Sequence, residues 1–327
     1  MSKSTASFTV FLLAVVFALA FSQPASAATV FATSINTGQI YSVDTVTHSV
    51  TSVVNTGAAL DSLFFDPSGR IIYSQLNNAR VLAYNPQNNT NTVLATGLAS
   101  PIDLALEPSL TSFLTSNSGS NSLSRVSLAG GVLGAALPLG GRPDGIIYDG
   151  SGRLFVNVST GFTANDTTVE QINPTTGAVL AHSANTGVFL DGLTYDSFSG
   201  MLFASDYNNG RILRLNPNTL AFTILTPSGA ALSQPDGITS DGMGNLYIAS
   251  RANSQVVQYV ITTNTATDVG TINGLDDLAP ASGLGSNPVP EPSTLFMAGI
   301  GAVVFLGYRL RRVAGRLAPE GSPRKTA

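Results

Sequence analysis

Gln234-Pro-Asp-Gly-Ile-Thr-Ser-Asp-Gly-Met-Gly-Asn-Leu-Tyr-Ile-Ala-Ser250 reads as a short strand, a tight turn and a second strand. The phrase recurs as Arg142-Pro-Asp-Gly-Ile-Ile-Tyr-Asp-Gly-Ser-Gly-Arg-Leu-Phe-Val156 and as Leu190-Asp-Gly-Leu-Thr-Tyr-Asp-Ser-Phe-Ser-Gly-Met-Leu-Phe-Ala204. A looser copy is Leu60-Asp-Ser-Leu-Phe-Phe-Asp-Pro-Ser-Gly-Arg-Ile-Ile-Tyr73. Repetition at a fixed period decides architecture before any single motif does.

Each copy can be aligned on the residue at the start of its first strand. The anchors are Asp61, Ile102, Asp144, Asp191, Asp236 and Asp276, spaced by 41, 42, 47, 45 and 40 residues. That is the length of one four-stranded propeller blade. In the copy anchored at Asp191, Gly192–Tyr195, Met201–Ser205, Arg211–Leu215 and Ala221–Leu225 read as strands between Ser-Gly, Asn-Asn-Gly and Asn-Pro-Asn turns. No stretch of the body keeps a helical period.

The ends of the body complete each other. Val30-Phe-Ala-Thr-Ser-Ile-Asn-Thr-Gly-Gln-Ile-Tyr-Ser-Val-Asp44 aligns without a gap on Leu202-Phe-Ala-Ser-Asp-Tyr-Asn-Asn-Gly-Arg-Ile-Leu-Arg-Leu-Asn216, so the body opens on the second strand of a blade. Leu275-Asp-Asp-Leu-Ala279 resembles a first strand with nothing after it. The expected fold is all-β: a six-bladed propeller over residues 28–286, closed by a blade shared between its ends. Closure removes the sheet edges that invite aggregation. It would also hold together a chain that has no cysteine and therefore neither disulfide nor thiolate metal site.

Of the 327 residues only 10% are charged, well below the usual quarter. Between residues 28 and 290 there are eight arginines against 17 Asp and Glu, so the body carries 8 − 17 = −9. Such a body repels phosphate backbones and anionic lipid, which excludes nucleic acid and favours cations or neutral glycans as partners.

Residues 1–27 read as a secretory signal. Lys3 precedes an apolar run from Phe8 to Phe21, and Ala25-Ser26-Ala27 is a small-x-small cleavage site at Ala25 and Ala27. The run is shorter than the roughly 20 residues that span a bilayer. Residues 287–327 form a second sorting element. Val289-Pro290-Glu291-Pro292-Ser-Thr294 leads into an apolar run, Leu295 to Tyr308, followed by Arg309, Arg311 and Arg312. Arginines after an apolar span place the C-terminus in the cytoplasm and the body on the other side, where the signal also sends it.

Two resemblances rest on these residues. The pattern Pro-x-Gly-Ile, Asp-x-x-Gly-x-Leu-Tyr-Ala, Asn-x-x-Ile resembles the NHL-type and gluconolactonase-like six-bladed propellers, over about four-fifths of the chain. No tryptophan is present, so the WD-repeat dipeptide is absent. The C-terminal trio resembles a PEP-CTERM sorting tail. That resemblance implies inner-membrane anchoring with a periplasmic propeller, and processing near Pro290, Glu291 and Pro292 by an exosortase-type enzyme. It further implies transfer to the cell surface or extracellular matrix, with an exopolysaccharide or envelope protein as partner.

The first strand of each blade lines a propeller's channel, so Asp61, Asp144, Asp191, Asp236 and Asp276 are expected around one mouth, with Asp103 and Asp277 one residue on. Five carboxylates so placed cannot all stay ionised without a counter-charge. Ca²⁺ or another divalent cation, which takes six to eight oxygens, is the candidate ligand. The gluconolactonase resemblance implies a metal held from such strand starts, with Asp236 as the matching position; the family's Asn ligands have Asp144 and Asp191 in their places. Two functions follow: a binding or scaffold propeller of the envelope, or a divalent-metal-dependent lactonase-like hydrolase. The competing structural expectation is that these aspartates accept hydrogen bonds from turn N–H groups, as is also expected of the hairpin set Asp66, Asp149, Asp196 and Asp241. Arg142 is expected to pair with a ring aspartate. His48 and His182 fall in outer strands and lack a nucleophile elbow nearby, which argues against a Ser-His-Asp triad.

Overall fold

The structure, a computed structural model, describes residues 29–280. The signal segment with Ala25 and Ala27 lies outside the described residues. So does the sorting tail with Pro290, Glu291, Pro292, Arg309, Arg311 and Arg312. Among the described residues no helix is long and apolar enough to cross a membrane.

Six antiparallel sheets follow one another. Blade 1 is Leu275–Pro280, Thr29–Ser34, Gln39–Asp44 and Val50–Asn55, from the inside out. Blade 2 is Leu63–Phe65, Ile71–Gln75, Arg80–Asn85 and Thr90–Thr96. Blade 3 is Pro101–Leu106, Ser112–Asn117, Ser122–Ser127 and Leu137–Pro138. Blade 4 is Arg142–Tyr148, Leu154–Ser159, Thr168–Ile172 and Val179–His182. Blade 5 is Leu190–Asp196, Met201–Asp206, Arg211–Leu215 and Phe222–Leu225. Blade 6 is Pro235–Ser240, Asn245–Ser250, Gln255–Val260 and Thr265–Thr271, with Ser228–Gly229 added in parallel at its outer edge. The innermost strands touch in succession and the last meets the first.

The shared blade is as the sequence requires. Val30 pairs with Pro280, Phe31 with Ala279, Ala32 with Leu278 and Ser34 with Leu275. Strands from the two ends of the body thus seal one sheet, and the ring has no open inner edge.

Burial follows distance from the axis. Every residue of Leu154–Ser159 and of Ser112–Asn117 is buried, whereas all four of Val179–His182 are exposed. Second strands pack on both faces, so even their polar residues, such as Ser116 and Asn157, are buried. The core lies between blades: Phe64 and Ile72 of blade 2 meet Leu104 and Phe113 of blade 3, the two phenylalanine rings edge to face at 5.3 Å. Each fully buried side chain of this size contributes about 1.5–3 kcal/mol.

Candidate functional site

Five of the six inner strands carry a bulge at the anchor, and in blade 2 Asp61 precedes a regularly paired strand. Asp144 and Gly145 together oppose Asn157; Asp191 and Gly192 oppose Ser205; Asp236 and Gly237 oppose Ala249. Ile102 and Asp103 oppose Ser116, and Asp276 and Asp277 oppose Thr33. A bulge re-aims side chains, and here it turns the anchor carboxylates into the channel.

The residue facing each bulge pins it. Ser116 Oγ accepts from Asp103 N at 3.1 Å and donates to Asp144 O of the next blade at 2.8 Å. Thr33 Oγ1 accepts from Asp277 N at 2.9 Å and donates to Asp61 O at 2.5 Å. Ser205 Oγ accepts from Gly192 N at 2.9 Å and donates to Asp236 O; Asn157 Nδ2 donates to Asp191 O at 2.8 Å. Ser74 Oγ completes the series, accepting from Ser62 N at 3.0 Å and donating to Ile102 O at 3.5 Å. Blade 6 has Ala249 at this position and no such clasp.

Glycine follows three of the anchors because the inner strands approach closely. A Cβ on Gly237 would lie 2.0 Å from Asp277 Oδ1, and one on Gly192 would lie 2.7 Å from Asp236 O. Asp277 therefore occupies the space that Gly237 leaves.

The channel so formed has a volume of about 340 Å³ and is lined by Asp61, Asp103, Asp144, Asp191, Asp236, Asp276 and Asp277. The sequence-predicted anchors thus share one cavity. They do not share one environment. Arg142 Nη1 donates to Asp144 Oδ2, as expected. Arg251 Nη1 donates to Asp236 Oδ2 at 2.7 Å and lies 3.1 Å from Asp276 Oδ1. That Asp276 oxygen is buried and has the ion contact but no hydrogen bond. The side chains of Asp61 and Asp191, on opposite blades, have neither hydrogen bond nor ion pair among the described residues.

Burial, followed by the charges of neighbouring aspartates, pushes Asp61 and Asp191 well above the usual carboxylate range. Burial also raises Asp144, Asp236, Asp276 and Asp277, against the pull of Arg142 on Asp144 and of Arg251 on Asp236 and Asp276. Asp103 is pushed up to about 6 by burial, although it accepts from Ser62 Oγ, Leu104 N and Ile146 N.

The turn-capping role expected of both aspartate sets belongs to the hairpin set. Asp149 accepts from Ser151 N, Arg153 N and Arg153 Nε at 2.7–2.9 Å, and Asp66 is held the same way by Ser68 and Arg70. Asp241 caps Met243 N and Asn245 N, and Asp196 accepts from Ser199 N. The arginines then bind the next blade: Arg70 donates to Leu128 O at 2.7 Å and Arg153 to Pro217 O at 3.1 Å. Of the anchors none accepts a backbone N–H through its side chain; Asp103 and Asp277 accept from the strand N–H groups of Leu104, Ile146 and Leu278.

Two residues at the mouth escaped the sequence reading. Arg251 stands where Ile35 and Tyr207 stand in blades 1 and 5, just past the second strand. Phe162 lies on the eight-residue connection 160–167 of blade 4, twice the length of 207–210 in blade 5. Phe162 is 55% exposed, and its ring meets Phe189 at 5.3 Å and the Arg142 guanidinium at 5.2 Å. The 47-residue spacing from Asp144 to Asp191 was the available signal for this insertion. His48 and His182 are exposed at the outer strands, far from the channel in sequence and sheet order. Among the described residues no three His, Cys, Asp or Glu side chains are arranged to hold a metal ion.

No curated protein matches the sequence. By structure the propeller is similar to a chain in a nidogen/laminin complex, at 19% identity and a TM-score of 0.62, covering 80% of this chain and 99% of that one. It is similar to a protein of unknown function from Bacteroides caccae at 13% identity, TM-score 0.61, covering 78% and 99%. A streptogramin B lyase is similar at 17% identity, TM-score 0.51, covering 64% and 67%. At these identities the likeness is one of fold. Residues 288–312 match the PEP-CTERM protein-sorting motif, which implies handling by an exosortase-type enzyme. The chain is an exported six-bladed β-propeller carrying a PEP-CTERM sorting motif.

Proposed function

We propose that, once sorted to the surface, the propeller acts as a binding or scaffold protein of the cell envelope or matrix, taking a cationic group of an envelope or matrix component at its acidic mouth. The observation that carries this reading is the pairing pattern of the ring. Arg142 and Arg251 engage Asp144, Asp236 and Asp276, while Asp61 and Asp191 face the channel without a partner. Burial and then mutual repulsion with neighbouring aspartates disfavour their charged form, and a cation entering the channel would relieve the repulsion. Exposed Phe162 at the rim offers an apolar and π surface to the body of such a group.

A resident metal is poorly served by the same residues. Ca²⁺ needs six to eight oxygens, and three of the five anchor carboxylates already face an arginine. A lactonase-like hydrolase, the alternative, would have to draw its metal ligands from the carboxylates the arginines leave free, Asp61 and Asp191 among them.

The test is thermal melting with spermidine alone and with Ca²⁺ alone. Spermidine is expected to raise the Tm of the native protein and to leave Asp61→Asn/Asp191→Asn unmoved. A Tm indifferent to both probes would overturn the reading. A shift with Ca²⁺ only, abolished by Asp236→Ala, would replace it with a metal site.

A further inference from the structure

Strand direction gives the propeller two unlike faces. First strands begin at the acidic mouth, so the turns from first to second strand and from third to fourth lie on the far face. Thr29 pairs with Asp44 and Val30 with Pro280, which puts both ends of the described chain on that far face, in blade 1. Residues 281–287 alone separate Pro280 from the matched sorting motif.

The same face carries unpartnered apolar side chains. Phe198, 60% exposed, and Met243, 64% exposed, sit on the first turns of blades 5 and 6. They adjoin one another: the Phe198 ring packs beside Gly244. Val46, 64% exposed, sits on the last turn of blade 1, the next blade round. Leu110, 44% exposed on the first turn of blade 3, and Val132 and Leu133 in the connection to that blade's last strand lie on the same side, so the far face is apolar at several points, and the apolar rim over blades 5, 6 and 1 ends where the chain leaves. Among the described residues the mouth-side loops expose one large apolar side chain, Phe162. The acids of the rim turns are occupied locally. Asp44 accepts from Val46 N at 2.9 Å and Thr47 N at 2.7 Å, and Asp241 from Met243 N at 2.8 Å. No lysine or arginine lies in these three turns, so the surface suits neutral, zwitterionic lipid rather than an anionic one.

We propose that, while its sorting tail holds it at the membrane, the propeller rests on the bilayer through Phe198, Met243 and Val46, with the acidic mouth turned away from the lipid. This rests on the anchoring that the sorting motif implies. It would let the mouth take its ligand before the tail is processed. Large apolar side chains at an interface insert to the headgroup boundary.

The absence of cysteine allows single labels without background. The full chain carrying Phe198→Cys, Met243→Cys or Phe162→Cys, each with a fluorophore, is reconstituted in phosphatidylcholine vesicles containing a headgroup nitroxide lipid. Melting first confirms that each variant folds. Quenching at 198 and 243 is expected to exceed that at 162 several-fold. Equal quenching at the three sites, or stronger quenching at 162, overturns the orientation while leaving anchoring intact. A chain that does not float with the vesicles overturns anchoring and the proposal together. Flotation without quenching at 198 and 243, accompanied by 198–198 disulfide cross-links in the unlabelled Phe198→Cys chain, would assign the rim to a second copy and overturn the lipid contact.

Discussion

Arg251 Nη1 donates to Asp236 Oδ2 at 2.7 Å, and the same nitrogen reaches Asp276 of blade 1 at 3.1 Å. This ion contact crosses the seam between the last blade and the first. It is the one seam where the clasping polar side chain is missing, because Ala249 stands where Ser116, Ser205 and Thr33 stand elsewhere. An arginine thus joins the two blades where the hydroxyl does not.

Arg251→Gln should therefore open the closure. It leaves two buried carboxylates without their counter-charge. Breaking a buried pair typically costs about 3–5 kcal/mol, reduced here because the guanidinium is partly in solvent. A loss of roughly 2 kcal/mol in urea unfolding at pH 7 is expected. At pH 5 the loss should shrink, since the carboxyls can take up protons instead. An equal loss at both pH values would show that Arg251 acts by packing alone.

Asp61→Asn and Asp191→Asn should do the reverse. Each removes a carboxylate that burial and its neighbours make costly to ionise. The ligand-free protein should gain stability, with a Tm rise of about 2–4 °C, the shift that roughly 1 kcal/mol gives in a domain of this size. A site kept at the expense of stability is the mark of a functional one. If both variants melt below the native protein, the two carboxylates hold the fold together in a way the channel geometry does not reveal.

The pH profile of stability should be inverted in its upper half. Asp61, Asp144, Asp191, Asp236, Asp276 and Asp277 have folded values raised above those of the unfolded chain, and Asp103 is raised to about 6. Their contribution is complete below the unfolded value near 4 and is lost as pH rises through the folded values. Asp66 and Glu107 are shifted down by Ser68, Arg70, Ser112 and Arg125, so their contribution is present above the unfolded value and lost as pH falls below it. Melting at pH 8, 6, 5 and 3 should therefore give its highest Tm between about 4 and 6. A Tm still rising from pH 6 to 8 would contradict the raised values.

The fold was open to reading because the repeat is written into turns and strand cores. Gly and Asn mark the turns, and a partial copy at each end, Val30–Asp44 and Leu275–Ala279, can pair in only one way that closes a ring. The shared cavity of the anchors followed from the same register. What escaped was the individuality of blades. Arg251 lies in a stretch that aligns with Tyr207 and Ile35, and nothing local says that its side chain turns inward. The bulges were equally hidden. An extra residue in an inner strand shows only when its partner strand is known, and the polar residues that mark the partners, Thr33, Ser74, Ser116, Asn157 and Ser205, look like ordinary interruptions of apolar runs.

Those interruptions give the sharpest test of how the ring is held. Ser116 serves two blades at once, accepting from Asp103 N and donating to Asp144 O. Ser116→Ala strands a buried donor and a buried acceptor, each costing about 1–3 kcal/mol if nothing replaces the lost bond. The serine is fully buried, so water has little access. A loss of about 2–4 kcal/mol is expected, with Asp103 freed to titrate differently because its backbone no longer fixes the bulge. Ala249 is the internal control, since the native ring already tolerates alanine at that one position, where Arg251 spans the gap. Combining Ser116→Ala with Arg251→Gln opens two separate seams and should cost the sum of the single losses to within about 0.5 kcal/mol. A double loss far below the sum would mean that one broken seam already releases the whole ring, and that closure is a single cooperative event.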